Sequence, residues 1–399
     1  MIIPKANRLN QVQEYYFARK LAEVRTLMAQ GHDVVNLGIG DPDLPASAET
    51  VVALNQSAEN PKNHGYQAYR SIPALRQAMA KWYQQVYDVA LDSETEILPL
   101  MGSKEGIFHI SLAFLNPGDQ VLVPNPGYPA YAAVTRLVNA EPVFFDLTEE
   151  NNWLPDLDAL RQLDTSRVKL MWLNYPNMPT GALATEADFA EIINFARERE
   201  ILIVHDNPYS LVLNEKPPIS ILHAPEAKDC CLELNSLSKS FNMAGWRVGM
   251  VAGQKEYLDT IIAVKSNMDS GMFLPVQHAA IAALANPESW HQERNAVYRA
   301  RRELIYELLD VLNCRYSKEA TGMFVWGRVP DNVADVEAFL NQILYEAHVF
   351  LTPGKIFGSN GERYVRISVC ATKDQIQKAI DNIKALLVRN KTLNVTAPS

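Results

Sequence analysis

Val168-Lys169-Leu170-Met171-Trp172-Leu173 is a short apolar run, and Ile201-Leu202-Ile203-Val204 is another. Between them Phe189, Ile192, Ile193 and Ala196 recur at helical spacing, after a candidate cap at Thr185 with Asp188 three residues on. Runs of this length rich in Val, Ile and Leu suit strands buried on both faces. A strand, a helix and a strand in that order form a βαβ crossover, so segment 168–204 predicts a parallel pair covered by a helix. The alternation continues outward, with further apolar runs at 97–101, 120–123, 142–145, 230–234 and 248–252. The fold class is therefore α/β, with a mostly parallel sheet flanked by helices in a large domain, 46–285.

Beyond about residue 286 the pattern changes. A helical stretch from 288 to about 312 leads into 322–329, a helix near 333–347, short strands near 349–351 and 364–369, and a helix to about 388. This predicts a smaller α+β domain, 286–399, and residues 1–45, with a helix near 13–30, are expected to form an N-terminal arm packed beside it. The last ten residues are polar and expected to fray.

Composition narrows the function. Of 399 residues 48% are apolar, enough for a large core without disulfides or metal staples. Lys and Arg number 37 against 46 Asp and Glu, a net charge of −9. That balance argues against nucleic acid or an anionic membrane as partner, since either needs a basic stripe. No run approaches a membrane span, and the first ten residues carry Lys5 and Arg8 but no apolar signal core, so a cytoplasmic location is expected. The four cysteines, Cys230, Cys231, Cys314 and Cys370, read as reduced thiols, and no histidine pair has metal-ligand spacing, so no metal is expected. His205 ends an apolar run, where a hydrogen-bonded packing role is expected.

Three stretches carry chemistry. Met101-Gly102-Ser103-Lys104-Glu105-Gly106 follows a predicted strand and opens a helix, whose first N–H groups would hold a phosphate. The run 201–204 ends in His205-Asp206-Asn207-Pro208-Tyr209, at the carboxyl end of a strand where such sheets bind ligands. Ser236-Leu237-Ser238-Lys239-Ser240-Phe241 follows another strand, with Arg247 eight residues beyond the lysine. A phosphate nest, a strand-end acid and a lysine flanked by hydroxyls and an arginine are together what pyridoxal 5'-phosphate needs. The lysine forms the Schiff base, the acid keeps the pyridine nitrogen protonated, and Arg and Ser anchor the phosphate. Gly38-Ile39-Gly40 lacks the third glycine of a dinucleotide fingerprint, because position 43 is Asp43.

These stretches, with Leu37-Gly38-Ile39-Gly40-Asp41-Pro42-Asp43-Leu44-Pro45, Asn125-Pro126-Gly127-Tyr128-Pro129, Val264-Lys265-Ser266-Asn267 and Tyr364-Val365-Arg366-Ile367-Ser368, resemble the class I pyridoxal-phosphate aminotransferases of fold type I. The resemblance extends over nearly the whole chain. Within the family it is nearest the branch of LL-diaminopimelate, alanine, aspartate and methionine transaminases. It implies transamination between an L-amino acid and a 2-oxo acid by a homodimer with the active site at the interface. Lys239 would bind the cofactor and shuttle the proton, Asp206 would pair with the pyridine nitrogen, Tyr209 would bond the ring hydroxyl and Tyr128 would stack on the ring. Ser103, Lys104, Ser236, Ser238 and Arg247 would surround the phosphate. Tyr66 would reach the phosphate of the partner subunit, or else make an aromatic contact in a surface loop. Arg366 would grip the substrate α-carboxylate with its two-pronged donors, helped by Gly40, and Tyr15 or Tyr16 would lie on the substrate side. The family's asparagine before Pro179 is Met178 here, a side chain that cannot donate a hydrogen bond; Asn177 is the candidate substitute. The resemblance further implies cis bonds before Pro126 and Pro179. A β-lyase or decarboxylase on the same scaffold, and a non-catalytic cofactor-binding regulator, are the rival readings.

Overall fold

In the computed structural model, which describes residues 2–11 and 16–389, segment 168–204 folds as strand Val168–Asn174, helix Glu186–Glu198 and strand Leu202–Asp206. Thr185 and Asp188 close a reciprocal capping box at the start of that helix. Counting from the N-terminus, β1 is the short strand Val35–Asn36. The large sheet comprises β2 (Ile97–Leu100), β3 (Gln120–Asn125), β4 (Glu141–Asp146), β5 (Val168–Asn174), β6 (Leu202–Asp206), β7 (Cys231–Ser236) and β8 (Gly249–Gly253), each at one of the seven apolar runs. Their order across the sheet is β2-β8-β7-β6-β5-β3-β4. Only β8 runs against its neighbours, β2 and β7; the other pairings are parallel.

Both faces of this sheet are buried, and β5 shows how. Leu170 and Trp172 join the apolar cluster on one side, Met171 and Leu173 the cluster on the other, as a two-residue period dictates. Helices therefore cover both faces. A consequence for function is that β2, β5, β6 and β7 all end at the same edge, where the chain must leave the sheet in loops.

The remaining strands, β9 (Arg315–Tyr316), β10 (Phe324–Arg328), β11 (Val349–Phe350), β12 (Thr352–Pro353) and β13 (Tyr364–Ser368), build smaller sheets. β12, β13, β10 and β9 form one antiparallel sheet, while β1 pairs in parallel with β11. Helix Tyr16–Ala29 and helix Lys373–Arg389 pack in the same region, and helix Glu288–Val311 leads into it. Residues near the N-terminus and near the C-terminus thus share one apolar cluster, with Phe17, Val35 and Leu37 beside Val349, Ile367 and Ile380. The expectations for residues 390–399 and for Gln13 lie outside the described residues. Among the described residues, no helix is long and apolar enough to cross a membrane.

Candidate active site

Helix Ser103–Phe114 starts directly after β2, and its cap, Gly102, makes no side-chain hydrogen bond. Ser103 and Lys104, the first residues of this 12-residue helix, line a cavity of about 400 Å³, so the positive end of the helix lies at its wall. Gly102 has φ +91°, and a Cβ there would lie 2.1 Å from Arg247 Nη2. The backbone conformation thus favours glycine, and any Cβ would also displace the end of the Arg247 side chain. Arg247 is itself left-handed (φ 57°) and donates to Ala244 O at 2.8 Å and Ser238 Oγ at 3.4 Å. Ser236 Oγ caps the short helix Leu237–Ser240 by accepting from Ser238 N. Burial, and then the adjacent Arg247, both push the Lys104 ammonium's pKa down. Donors and cations so gathered suit a phosphate.

Asp206 is the last residue of β6. Its Oδ2 accepts from Tyr131 Oη at 2.8 Å, and its Oδ1 is buried with no hydrogen-bond partner among the described residues. Burial pushes its pKa up to about 6, against the hydrogen bond from Tyr131 and the nearby His205. A buried carboxylate oxygen left unpaired calls for a cationic donor. On β5 the register partner of Asp206 is Asn174, whose Nδ2 donates to Asp206 O at 2.7 Å. Tyr131 is held flat against Trp172, rings 4.8 Å apart, and edge-on to Tyr128. His205 points elsewhere: buried, it contacts Glu233 Oε2 at 2.8 Å through Nδ1, and its Nε2 lies 2.9 Å from Tyr175 O. Its role is packing, as the sequence suggests.

Lys239 Nζ donates to Gly40 O at 2.5 Å. Burial lowers its pKa, with Arg366 and Arg247 adding to the effect and Cys370 and Asp41 opposing it. The neutral amine, the nucleophilic form, is favoured accordingly. Arg366, on β13, is buried and donates through Nη2 to Gly38 O at 2.7 Å, while Nη1 lies 3.3 Å from Met178 Sδ. The rings of Phe324, Phe357 and Phe17 stand 3.9, 4.7 and 5.3 Å from its guanidinium carbon. Arg363 faces away and donates to Val329, Pro330 and Val333 carbonyls.

One cavity is therefore lined by Ser103, Lys104, Ser236, Ser238 and Arg247, by Tyr128, Asp206, Tyr209 and Lys239, and by Gly40 and Arg366. Asn177 is a correction. Its Oδ1 accepts from Thr180 N and Oγ1 and its Nδ2 donates to Asn174 O, so the loop's own turn consumes it and it does not line the cavity. Met178 does line it. Tyr66 is 93% exposed and outside the cavity wall. Tyr15 lies outside the described residues; its alternative, Tyr16, starts a helix whose Phe17 and Leu21 line the cavity instead. Tyr131, Asn174, Phe17, Leu21, Phe324 and Phe357 line the cavity as well, and the sequence motifs do not point to them. Tyr131, inside helix Pro129–Leu137 and three residues after its extended cap Tyr128, carries the plainest sequence signal of them. The bonds before Pro126 and Pro179 are cis, and so is Tyr175–Pro176.

A strand-end acid with an unmet oxygen, a desolvated lysine and a helix start beside Arg247 define a site that fits pyridoxal 5'-phosphate: acid for ring nitrogen, amine for aldehyde, helix and Arg247 for phosphate. The chain belongs to the aminotransferase class I and II family, whose profile matches residues 32–383. It is 42% identical over 388 residues to an LL-diaminopimelate aminotransferase of Moorella thermoacetica, covering 96% of this chain and 98% of the relative. An LL-diaminopimelate aminotransferase of Aquifex aeolicus is 40% identical over 383 residues, with the same coverage. Among solved structures, substrate-bound BacF from Bacillus subtilis is 35% identical with a TM-score of 0.92, covering 96% of this chain and 98% of that one. Thermus thermophilus aspartate aminotransferase with maleate is 26% identical with a TM-score of 0.90, covering 96% and 100%. The protein is an aminotransferase on the aspartate-aminotransferase fold, with pyridoxal 5'-phosphate as its cofactor and an amino acid and a 2-oxo acid as substrates.

Proposed function

We propose that this cavity transfers an amino group between an L-amino acid and a 2-oxo acid with Lys239 as the covalent anchor and proton carrier. The observation that carries it is the meeting of Lys239, of lowered pKa, with the buried and half-paired Asp206 in one cavity. The cofactor, when bound, supplies a ring that withdraws the electron pair of the substrate α-carbon and stores the amino group. The start of helix Ser103–Phe114, with Ser103, Lys104, Ser236, Ser238 and Arg247, would hold its phosphate. Asp206 Oδ1 would accept from the ring N–H, whose charge would favour the ionised carboxylate. Tyr131 keeps Asp206 aligned by its hydrogen bond to Oδ2, while Tyr128 would cover one ring face and Tyr209 would donate to the ring hydroxyl. Arg366 orients the α-carboxylate, with Gly40 letting the backbone approach. Lys239 Nζ takes the α-proton and returns it. Borohydride reduction of the cofactor-loaded protein followed by peptide mapping will place the label on Lys239. A label on any other lysine removes the assignment.

The working unit proposed is a homodimer. Loops 64–69 and 268–273 touch, with the His64 and Phe273 rings 5.9 Å apart, and they expose Tyr66, Tyr69, Met268 and Phe273 together. Covering such a patch with a second copy would bring Tyr66 to the partner's phosphate end. The separate apolar clusters support 46–285 as a large domain beside a smaller one made from 1–45 and 286–399. The four free thiols support a reducing, cytoplasmic setting. The names of the relatives bring LL-diaminopimelate to this chain as a candidate donor.

A further inference from the structure

Two of the four free thiols stand together. Cys230 precedes β7 and Cys231 begins it, and their sulfur atoms lie 3.9 Å apart. At about 3.3 Å per residue along a strand, this end of β7 is roughly 17 Å from Ser236, where the active-site loop begins. The two residues differ in access: Cys230 is 9% exposed, whereas Cys231 is completely buried. They differ in acidity as well. A hydrogen bond from the Cys231 thiol, and then the nearby Arg197 guanidinium, pull the Cys230 pKa down against burial and the Asp229 carboxylate. Burial holds the Cys231 thiol well above its ordinary value, and pushes Cys314 up to about 12 and Cys370 up to about 11. The sulfur within reach of solvent is thus the one most readily ionised, and a protonated thiol touches it.

We propose that Cys230 and Cys231 form a peroxide-reactive pair, in which Cys230 reduces the peroxide and Cys231 resolves the product as a disulfide. An accessible thiolate beside a resolving thiol is the arrangement such chemistry needs. The Cys230 thiolate attacks one oxygen of hydrogen peroxide; the O–O bond breaks, hydroxide leaves and the sulfur becomes a sulfenic acid. Cys231 then gives up its proton and attacks that sulfur, so that the S–S bond forms, the S–O bond breaks and a second hydroxide leaves. The two thiol protons complete the balance: two thiols and one peroxide give one disulfide and two waters, with two electrons passing from sulfur to oxygen. Neighbouring Cα atoms are about 3.8 Å apart, closer than disulfides usually hold them, so the closed ring is strained and a small thiol reopens it readily. That suits a transient oxidation in a reducing setting.

The test uses the full-length, cofactor-loaded protein, reduced and then freed of reductant. Under limiting iodoacetamide, Cys230 should be alkylated at least about tenfold faster than Cys314 or Cys370. After brief exposure to hydrogen peroxide and digestion without reductant, the peptide holding both residues should be lighter by two hydrogens and closed to iodoacetamide. Dithiothreitol should restore both thiols. In Cys231→Ala, which keeps a small apolar side chain at the buried position, oxidation should stop at a sulfenic acid on Cys230 that dimedone traps. In Cys230→Ser, Cys231 should stay reduced. Oxidation of Cys230 to a sulfinic acid beside a free Cys231, or a first oxidation at Cys314 or Cys370, overturns the pairing. A parent protein whose four thiols all survive peroxide overturns it too, and the parent's own peptide map decides this even if neither variant folds.

Discussion

Asp206 holds a conflict that only a ligand relieves. Its folded-state pKa of about 6 is above the ordinary carboxylate value near 4. Without cofactor, the folded chain keeps a proton there that the unfolded chain has released between about pH 4 and 6, so this group's contribution to stability falls as pH rises through that window and stays low above it. Asp206→Asn removes the penalty and keeps an oxygen for Tyr131. The cofactor-free variant should therefore melt higher than the parent at pH 8, with the difference shrinking toward pH 4.5, while cofactor affinity drops because no negative charge faces the ring nitrogen. Thermal melts at the two pH values and equilibrium dialysis measure this; a melting difference independent of pH refutes the account. Arg366→Lys keeps the charge but loses the planar fork and its stacking on Phe324. It should lower kcat/KM by roughly 30-fold, about 2 kcal/mol, with cofactor affinity unchanged, and an unimpaired variant would move the carboxylate site elsewhere. At this scale legibility followed chemistry. Asp206 ends β6 and Lys239 follows the end of β7 by three residues, where the apolar runs reveal the strands, whereas Arg366 stands in the middle of β13 and is legible only through the family resemblance. Asn177 misled because nearness in sequence to the altered position says nothing of which turn donors its amide already serves. Phe17, Phe324 and Phe357 come from three distant segments, and only the folded chain brings them onto one guanidinium.

Elements were legible where their period was clean. Segment 168–204 has a two-sided strand, a capping box and a second strand, and all three are present with ends shifted by a residue or two. Helices Ala48–Ala58 and Leu274–Leu284 are not legible in the apolar pattern. They pack on each other, and Leu274–Leu284 is apolar on several faces, so it shows no stripe to read. The element that matters most for binding is helix Ser103–Phe114, because its start depends on Gly102. An alanine there would have to hold φ +91° and would press its Cβ on Arg247 Nη2. Gly102→Ala should destabilise the fold by about 1–2 kcal/mol through backbone strain and weaken cofactor binding by displacing the guanidinium from the phosphate end. Urea unfolding and fluorescence titration with pyridoxal 5'-phosphate separate the two effects. Unchanged cofactor affinity would show that Arg247 does not serve the phosphate.

For the whole molecule, the large sheet supplies the cofactor end of the cavity and the region joining both ends of the chain supplies Arg366 and its aromatic walls, so the site exists only where the two meet. What one chain leaves unexplained is Tyr66, 93% exposed beside Tyr69 and the 268–273 loop. If this patch is where a second copy docks and Tyr66 completes the partner's phosphate site, a defect in Lys239 and a defect in Tyr66 belong to different active sites of one dimer. Lys239→Ala destroys the site of its own chain but still lends Tyr66 to the other. Tyr66→Ala keeps its own lysine and borrows an intact tyrosine from the Lys239→Ala chain. In a mixed dimer one site is then whole and the other lacks both groups. Each variant alone should be impaired, Lys239→Ala nearly inactive and Tyr66→Ala weakened in cofactor retention. Random reassortment of equal amounts makes half the dimers mixed, so about a quarter of the parent's sites should be whole. The measurement is transaminase activity at limiting cofactor, before and after unfolding and refolding the two variants together, beside each refolded alone. A rise well above the mean of the separate variants, carried by a dimer-sized species in gel filtration, is the expected outcome. Activity equal to that mean would mean that Tyr66 acts within its own chain or not at all, and the exposed patch would then need another occupant.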